Sequence, residues 1–145
     1  MNPGASAGAW WLAAAHDSAT QVWREWSTPQ RVAMIPAGYR WDAVSLPAAR
    51  LFGVTGDEAP WRTAPVLIDT PVERAYILVP PGTASTWVVP GTTCLGRGFW
   101  LGVSNPVDRR QPAYARWHTP PTAHPTLADP AALRAALLAS AEAAS

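Results

Sequence analysis

The 145-residue sequence contains no lysine and only one cysteine. Because all 11 of its cationic side chains are arginine, mechanisms that need a lysine amine, such as Schiff-base formation or P-loop phosphate binding, are excluded. A single thiol, Cys94, cannot form an intramolecular disulfide or a cysteine-rich zinc site. Cysteine usage therefore says nothing about the redox compartment.

Charge and long apolar runs are also scarce. Only 14% of the residues are charged and the net charge is +1, which argues against a strongly basic nucleic-acid-binding protein. No run approaches the roughly 18 apolar residues of a membrane span, so we expect no membrane partner. The first 15 residues have no basic residue ahead of their short apolar stretch, which is unlike a signal peptide. We therefore expect a cytoplasmic protein.

What is abundant is apolar and aromatic surface, with 48% hydrophobic residues and nine tryptophans. A chain of this length can bury a core without disulfide or metal support. We expect one domain over residues 1–145, with frayed ends at 1–8 and 140–145. The 16 prolines are placed between apolar runs and indicate the ends of strands.

The periodicity predicts an α+β fold. Apolar residues at three- and four-residue steps predict one amphipathic helix from Ala7 to Trp26. Ser45 and Pro47 favour the start of a short middle helix that Gly53 ends in a left-handed conformation, and Asp129-Pro130 starts a C-terminal helix. Strands are predicted at Arg31–Ile35, Arg40–Leu46, Ala64–Asp69, Arg74–Val79, Trp87–Val89, Gly98–Ser104 and Tyr114–His118. We expect a mainly antiparallel or mixed sheet with the helices on one side.

The sequence carries no recognisable catalytic motif. Leu95-Gly-Arg-Gly-Phe99 leads into a strand and not a helix, so a turn explains its glycines better than a phosphate loop does. The three histidines have no compact metal-ligand spacing, and Cys94 stands in an apolar context typical of a small buried residue. We therefore expect no catalytic residue, no cofactor and no metal.

Arginines and aromatic residues cluster in the second half of the chain. An arginine-rich aromatic face can stack bases and hold phosphates. The alternative is that the aromatic rings serve the core and the arginines keep strand edges soluble. The candidate binding residues are Arg74, Arg97, Arg109, Arg110, Arg116 and Trp100.

Three passages resemble a known family. Arg74–Thr83 is similar to a strand leading into an apolar-proline turn, Cys94–Pro106 to a glycine-rich turn with an aromatic strand, and Tyr114–Pro121 to a closing Tyr-x-Trp strand followed by prolines. Together they resemble the N-terminal domain of bifunctional DNA primase/polymerases, the prim-pol branch of archaeo-eukaryotic primases, in the small divergent forms common in high-GC actinobacteria. With the strand at Trp41–Leu46, the resemblance covers about two thirds of the chain.

The resemblance implies where an active site would lie, and the family's residues are missing there. Of the paired aspartates that bind metal in the family, only Asp42 is present, and Val44 takes the second place. Arg74 or Ala75 stands where the family has a histidine, and Thr93 stands where it has an acidic ligand. The resemblance thus implies an inactive relative in which Asp42, Arg74 and Thr93 share one sheet face as vestigial motif positions.

Two hypotheses follow for function. The first is a catalytically inactive primase/polymerase-like domain that serves as a nucleic-acid- or nucleotide-associated binding module. The second is a protein–protein interaction or regulatory subunit with no nucleic-acid role, favoured by the near-zero net charge and the many tryptophans. An enzyme of unrecognised type ranks third.

Overall fold

A computed structural model describes residues 3–144, with the side chains of residues 7–140. Two helices, α1 (Pro3–Ala13) and α2 (Ala19–Trp26), occupy the segment for which the sequence predicts one helix. That prediction is wrong because the backbone breaks at His16–Ser18. Ser18 is the N-cap of α2, and its hydroxyl accepts a hydrogen bond from the amide of Gln21.

The strands form two antiparallel sheets. The strands are β1 (Val32–Pro36), β2 (Asp42–Pro47), β3 (Val66–Asp69), β4 (Arg74–Val79), β5 (Thr93–Leu95), β6 (Trp100–Ser104) and β7 (Arg116–Thr119). β1 pairs with β6 alone, and the other five strands have the order β5-β2-β4-β3-β7. The α+β class and the antiparallel pairing are as predicted, whereas the division into two sheets was not foreseen.

The core has two parts, one on each face of the five-stranded sheet. On one face, Ala43 and Leu78 pack in a cluster with residues of α1, α2 and the two-stranded sheet, and with the buried Trp41 of the connection between β1 and β2. On the other face, Val44 and Ile77 pack against residues of α3 (Ala48–Phe52) and α4 (Pro130–Ala144). The expectation of helices on one side is therefore wrong, because α3 and α4 cover the face opposite α1 and α2.

Several element boundaries differ from the predictions. Ser45 and Pro47 belong to β2, so α3 begins later than expected, and Gly53 has φ −69° and not a left-handed conformation. The predicted strand at Trp87–Val89 is irregular, and the neighbouring Thr93–Leu95 forms β5 instead. The C-terminal helix starts at Pro130 as predicted.

The ends of the described segment are helical. Pro3–Gly8 belongs to α1 and residues 140–144 belong to α4, whereas the predicted fraying of residues 1, 2 and 145 falls outside the described residues. Short 3-10 turns complete the fold at Pro60–Arg62, Thr83–Ser85 and Ala113–Ala115. None of the helices between residues 3 and 144 is long and apolar enough to cross a membrane.

Candidate binding site at the corner between the sheets

Two chain segments cross side by side from one sheet to the other. Residues 37–41 lead from β1 into β2, and residues 96–99 lead from β5 back into β6. Because β1 pairs with β6 and β2 pairs with β5, the two crossings are held together at one end of the molecule, between the Pro36–Trp100 and Ala43–Leu95 pairs. We call residues 36–42 and 96–100 the sheet corner.

Backbone hydrogen bonds fix the shape of the sheet corner. The amide of Ala37 donates to the carbonyl of Phe99 at 2.9 Å, and the amide of Phe99 donates to the carbonyl of Gly96 at 3.1 Å. Gly38 has φ +94°, and a Cβ atom added there would lie 2.6 Å from the backbone nitrogen of Arg97. Glycine is required at this position both for its conformation and for the close approach of the two segments.

Aromatic rings and arginines gather on the outer side of the corner. Tyr39, Phe99 and Trp100 are 58%, 53% and 51% exposed. The guanidinium carbon of Arg97 lies 5.1 Å from the centroid of the Tyr39 ring, within the range of a cation–π interaction. This cluster comes from both crossings, so it exists only in the folded protein.

A pocket of about 610 Å³, which we call the aromatic pocket, opens beside the Tyr39 and Trp100 rings. His16, at the break between α1 and α2, contributes to its wall, and its ring meets the Trp100 ring edge-on at 5.6 Å between centroids. The imidazole is held by its Nδ1 atom, which accepts a hydrogen bond from the amide of Ser18 at 2.8 Å. The full lining comprises Ala14, Ala15, His16, Asp17, Pro36, Tyr39, Arg40 and Trp100.

Asp42, the last residue of the first segment of the sheet corner, is only 1% exposed. Its Oδ2 atom accepts hydrogen bonds from the amides of Gly82 at 3.1 Å and Ala84 at 2.8 Å, so the carboxylate anchors the loop that follows β4. Its Oδ1 atom is buried and has no hydrogen-bond partner among the described residues. A buried acceptor left without a donor is destabilising, so the two amide bonds to Oδ2 have to offset the cost of burying this oxygen.

A smaller cavity of about 240 Å³, which we call the Asp42 pocket, has Asp42 among its lining residues. Its floor is narrow: a Cβ atom added at Gly96 would lie 2.8 Å from the Ala84 side chain and 3.4 Å from Asp42 Oδ2. Arg97 lines the Asp42 pocket and also contacts Tyr39 of the aromatic pocket, so the two cavities are neighbours. The lining comprises Gly38, Asp42, Gly82, Ala84, Ser85, Gly96 and Arg97.

Cys94 lies near Asp42 on the same sheet face. It pairs with Val44, whose side chain points to the same side as that of Asp42. Burial raises the pKa of the Cys94 thiol to about 12, and the negative charge of Asp42 adds to the effect. The thiol is therefore protonated at neutral pH and does not supply a thiolate nucleophile.

Of the six predicted binding residues, the structure brings two together at the corner, Arg97 and Trp100. Arg74 does not join them, because its Nε atom donates to the hydroxyl of Ser45 at 2.9 Å and its side chain is half-buried along β2. This hydrogen bond joins β4 to β2 within the five-stranded sheet. The prediction that Arg74 belongs to the same face as Arg97 is therefore wrong.

The other three arginines lie elsewhere. Arg109 and Arg110 are exposed on the connection after β6, which leaves that strand at the end opposite the corner. Arg116 is exposed on β7, the edge strand farthest from β5, and lines a different cavity together with Glu73. These positions do not form one surface with Arg97 and Trp100.

The vestigial motif positions do not share a sheet face. Residues that face each other across antiparallel strands point to the same side. Thr93 pairs with Ser45, and Arg74 bonds to that same serine, whereas Asp42 pairs with Val79 and points to the opposite side. The expected convergence of Asp42, Arg74 and Thr93 is therefore wrong, which removes the geometric support for the primase/polymerase resemblance; the resemblance itself stays a prediction.

Sequence reasoning missed part of the corner. Tyr39 follows Gly38 between two predicted strands, and Arg40 is the first residue of the second one. An aromatic residue within so short a turn is the signal that could have identified them. Nothing in the sequence points to the contact between Asp42 and Ala84, because 42 residues separate them. Within the described part of the chain, no three His, Cys, Asp or Glu side chains are grouped as metal ligands.

Compared with known proteins, the chain matches no family model, no curated protein and no solved structure. The fold and the corner define an α+β protein with an exposed aromatic–arginine site.

Proposed function

We propose that this chain is a non-catalytic binding module that contacts single-stranded nucleic acid or nucleotides through the sheet corner. The observation that carries the proposal is the arrangement of Arg97 over Tyr39 next to the exposed rings of Phe99 and Trp100. Exposed rings of this kind stack on bases of any sequence, and arginines beside them bind the phosphates.

The charge distribution fits a weak, stacking-dominated interaction. Arg40 and Arg97 are exposed at the corner, and Asp17 is the acidic residue on the wall of the aromatic pocket. A surface with two cations neutralises few phosphates, so most of the affinity has to come from the rings. This agrees with a net charge of only +1.

The proposal does not include catalysis. Nucleotidyl transfer uses metal ions held by neighbouring carboxylates, and the carboxylate at the corner, Asp42, already binds two backbone amides through one oxygen. Strand pairing places Val79 opposite Asp42, and Ala43 follows it in the chain; neither side chain can bind a metal. The absence of catalysis in this proposal rests on these contacts of Asp42 and not on the family resemblance.

The test is fluorescence anisotropy with labelled single- and double-stranded oligonucleotides at low salt. We expect the single strand to bind more tightly because its bases are free to stack. Trp100→Ala and Tyr39→Ala should each weaken binding by about tenfold, given about 1–3 kcal/mol for each stacked base. Absence of binding by the wild-type protein at low salt contradicts the proposal.

Matched controls come from the same residue types away from the corner. Tyr114 is an exposed tyrosine on the connection before β7, and Arg110 is an exposed arginine on the same connection. Tyr114→Ala and Arg110→Ala should leave oligonucleotide binding within a factor of two. A loss of affinity in these variants, with the corner variants unchanged, would move the binding surface to the other end of β6.

A second candidate function is protein binding, favoured by the outer face of the two-stranded sheet. Apart from the buried Ser104, the residues on that face are apolar: Val32, Met34, Pro36, Trp100 and Gly102. A solvent-facing antiparallel sheet normally carries polar residues in these positions. Met34 is exposed, and the face is continuous with Trp100 of the corner.

Protein binding is tested by sedimentation and by pull-down with wild-type protein and the Met34→Thr variant. The variant keeps a side chain suited to a strand and makes the face polar. If this face binds a protein or a second copy, Met34→Thr weakens the association, whereas Val72→Thr, at an exposed turn elsewhere, does not. If Met34→Thr associates as strongly as Val72→Thr, protein binding through this face is contradicted.

A further inference from the structure

We propose that His16 makes nucleic-acid binding at the aromatic pocket depend on pH, because protonation of its ring adds a positive charge to the pocket wall. The inference rests on the proposed function and adds regulation of the same site to it. It starts from one geometric observation. The Nδ1 atom of His16 lies 2.8 Å from the amide nitrogen of Ser18 and 3.0 Å from the Oδ1 atom of Asp17.

These two neighbours require opposite protonation states of Nδ1. The Ser18 amide is a donor, so Nδ1 has to be an unprotonated acceptor to make that bond, and the proton of the neutral ring is then on Nε2. The Asp17 carboxylate is an acceptor, so Nδ1 bonds to it only as an N–H donor. Protonation of the imidazole therefore exchanges the bond from Ser18 for an ion pair with Asp17.

The charges on the wall of the aromatic pocket are few, so one added proton changes their balance. Arg40 contributes one positive charge and Asp17 one negative charge, which sum to zero while His16 is neutral. Tyr39 is the other titratable residue on the wall, and the remaining lining residues are alanine, proline and tryptophan. Protonation of His16 gives the wall a net charge of about +1, within the pH range where histidine ordinarily changes its charge.

The same proton also affects an aromatic ring of the candidate binding surface. The His16 side chain is 10% exposed and packs edge-on against Trp100, which is 51% exposed. Once Nδ1 carries a proton, it faces the Ser18 amide donor to donor, so the ring or that amide has to move. The His16–Trp100 contact changes with it. Protonation thus alters both the charge and the shape of the pocket wall.

A more positive wall should bind phosphates more tightly. We expect oligo(dT) to bind about fivefold more tightly at pH 5.5 than at pH 8, the range in which histidine titrates. Oligo(dT) is the probe because neither thymine nor the phosphodiester group titrates between these pH values. The slope of log affinity against log salt concentration should steepen from about −1.4 to about −2.1 as a third phosphate is neutralised.

The variant that tests the role of His16 is His16→Asn. The asparagine oxygen can take the place of Nδ1 and accept from the Ser18 amide, but the side chain cannot be protonated. We expect this variant to bind oligo(dT) with equal affinity at pH 5.5 and pH 8. His124→Asn, at an exposed histidine on the connection between β7 and α4, is the matched control and should keep the fivefold increase.

Nuclear magnetic resonance of the wild-type protein with ¹⁵N-labelled histidine tests the geometry without any ligand. At pH 8 the His16 ring should be neutral with its proton on Nε2, and at pH 5.5 it should carry protons on both nitrogens. The indole N–H signal of Trp100, identified by its loss in Trp100→Phe, should shift over the same pH range. A neutral ring with its proton on Nδ1 at pH 8 overturns the inference.

The outcomes separate this inference from the proposed function. If oligo(dT) binds at neither pH, the proposed function fails and this inference fails with it. If oligo(dT) binds equally at both pH values, or if His16→Asn keeps the increase at pH 5.5, only the regulation by pH is overturned. An increase that is present in wild type and His124→Asn and absent from His16→Asn supports the inference.

Discussion

The carboxylate of Asp42 accepts a hydrogen bond from the amide of Ala84 at 2.8 Å, and this contact joins the first residue of β2 to the loop after β4. The bond spans 42 residues in the sequence. It holds one wall of the Asp42 pocket, while the aromatic rings of the sheet corner lie on the other side of Arg97. The fold and the candidate site therefore depend on the same side chain.

Replacing Asp42 by alanine should destabilise the protein. The change removes two charge-assisted hydrogen bonds and leaves the amides of Gly82 and Ala84 without their acceptor, so we expect a loss of about 3 kcal/mol in the free energy of unfolding. Urea denaturation measures it. Asp57→Ala, at an exposed loop position, should change stability by less than about 0.5 kcal/mol. Equal effects of the two substitutions would show that the Asp42 contacts add no stability.

Gly38 and Gly98 provide a matched pair for the close approach at the corner. Their φ values are nearly equal, +94° and +95°, but a Cβ atom would strike Arg97 only at Gly38 and meets nothing within 4 Å at Gly98. We expect Gly98→Ala to cost about 1–2 kcal/mol for the left-handed conformation alone. Gly38→Ala should cost about 1–3 kcal/mol more because the two crossings must move apart.

The same pair links the corner to binding. Gly38→Ala displaces Arg97 and should weaken oligonucleotide binding, whereas Gly98→Ala should affect stability more than affinity. Thermal unfolding measures the change in stability, and fluorescence anisotropy at a temperature where each variant is folded measures the change in affinity. If the two variants lose the same stability and the same affinity, the close contact between Gly38 and Arg97 is contradicted.

The Cys94 thiol should make stability depend on alkaline pH. Burial, with the charge of Asp42, raises its pKa from 9.0 to about 12. Between these pH values the unfolded chain loses the thiol proton while the folded protein keeps it, so stability falls as pH rises. We expect wild-type protein to lose more stability than Cys94→Ala between pH 8 and pH 10.5 in urea denaturation. Equal losses of stability in the two proteins over this pH range would contradict the raised pKa of Cys94.

Alkylation offers a second readout of the same thiol. The reactive species is the thiolate, so iodoacetamide should modify Cys94 slowly in the native protein and quickly in urea. Fast native modification at pH 8 would show that the thiol is ionised in the folded state. Asp42→Asn should raise the native rate, because removing the negative charge lowers the thiol pKa.

The sequence was sufficient where local signals decide the structure. β4 occupies Arg74–Val79 as predicted, because a short apolar run between turn residues determines a strand locally. The C-terminal helix starts at the Asp129-Pro130 signal for the same reason. The break in the N-terminal helix was missed, although Ser18 provided a capping signal, because the apolar spacing continues across it.

The candidate site was less predictable because it depends on pairing between distant strands. Trp100 and Arg97 were identified by residue type, but the sequence did not show that β1 pairs with β6, which brings Tyr39 to them. Because the strand pairing was unknown, the sequence-based prediction also grouped Arg74 with Arg97. In the structure, the alternation of side chains along β4 directs Arg74 toward Ser45.

The most direct test of the account is the salt dependence of single-stranded oligonucleotide binding by wild-type protein and the Arg97→Gln variant. With phosphate contacts at Arg40 and Arg97, the logarithm of the affinity should fall with the logarithm of salt concentration at a slope of about −1.4, and the variant should show about half that slope. A wild-type protein that does not bind at low salt, or a slope that Arg97→Gln leaves unchanged, would contradict the assignment of the sheet corner as a nucleic-acid-binding surface.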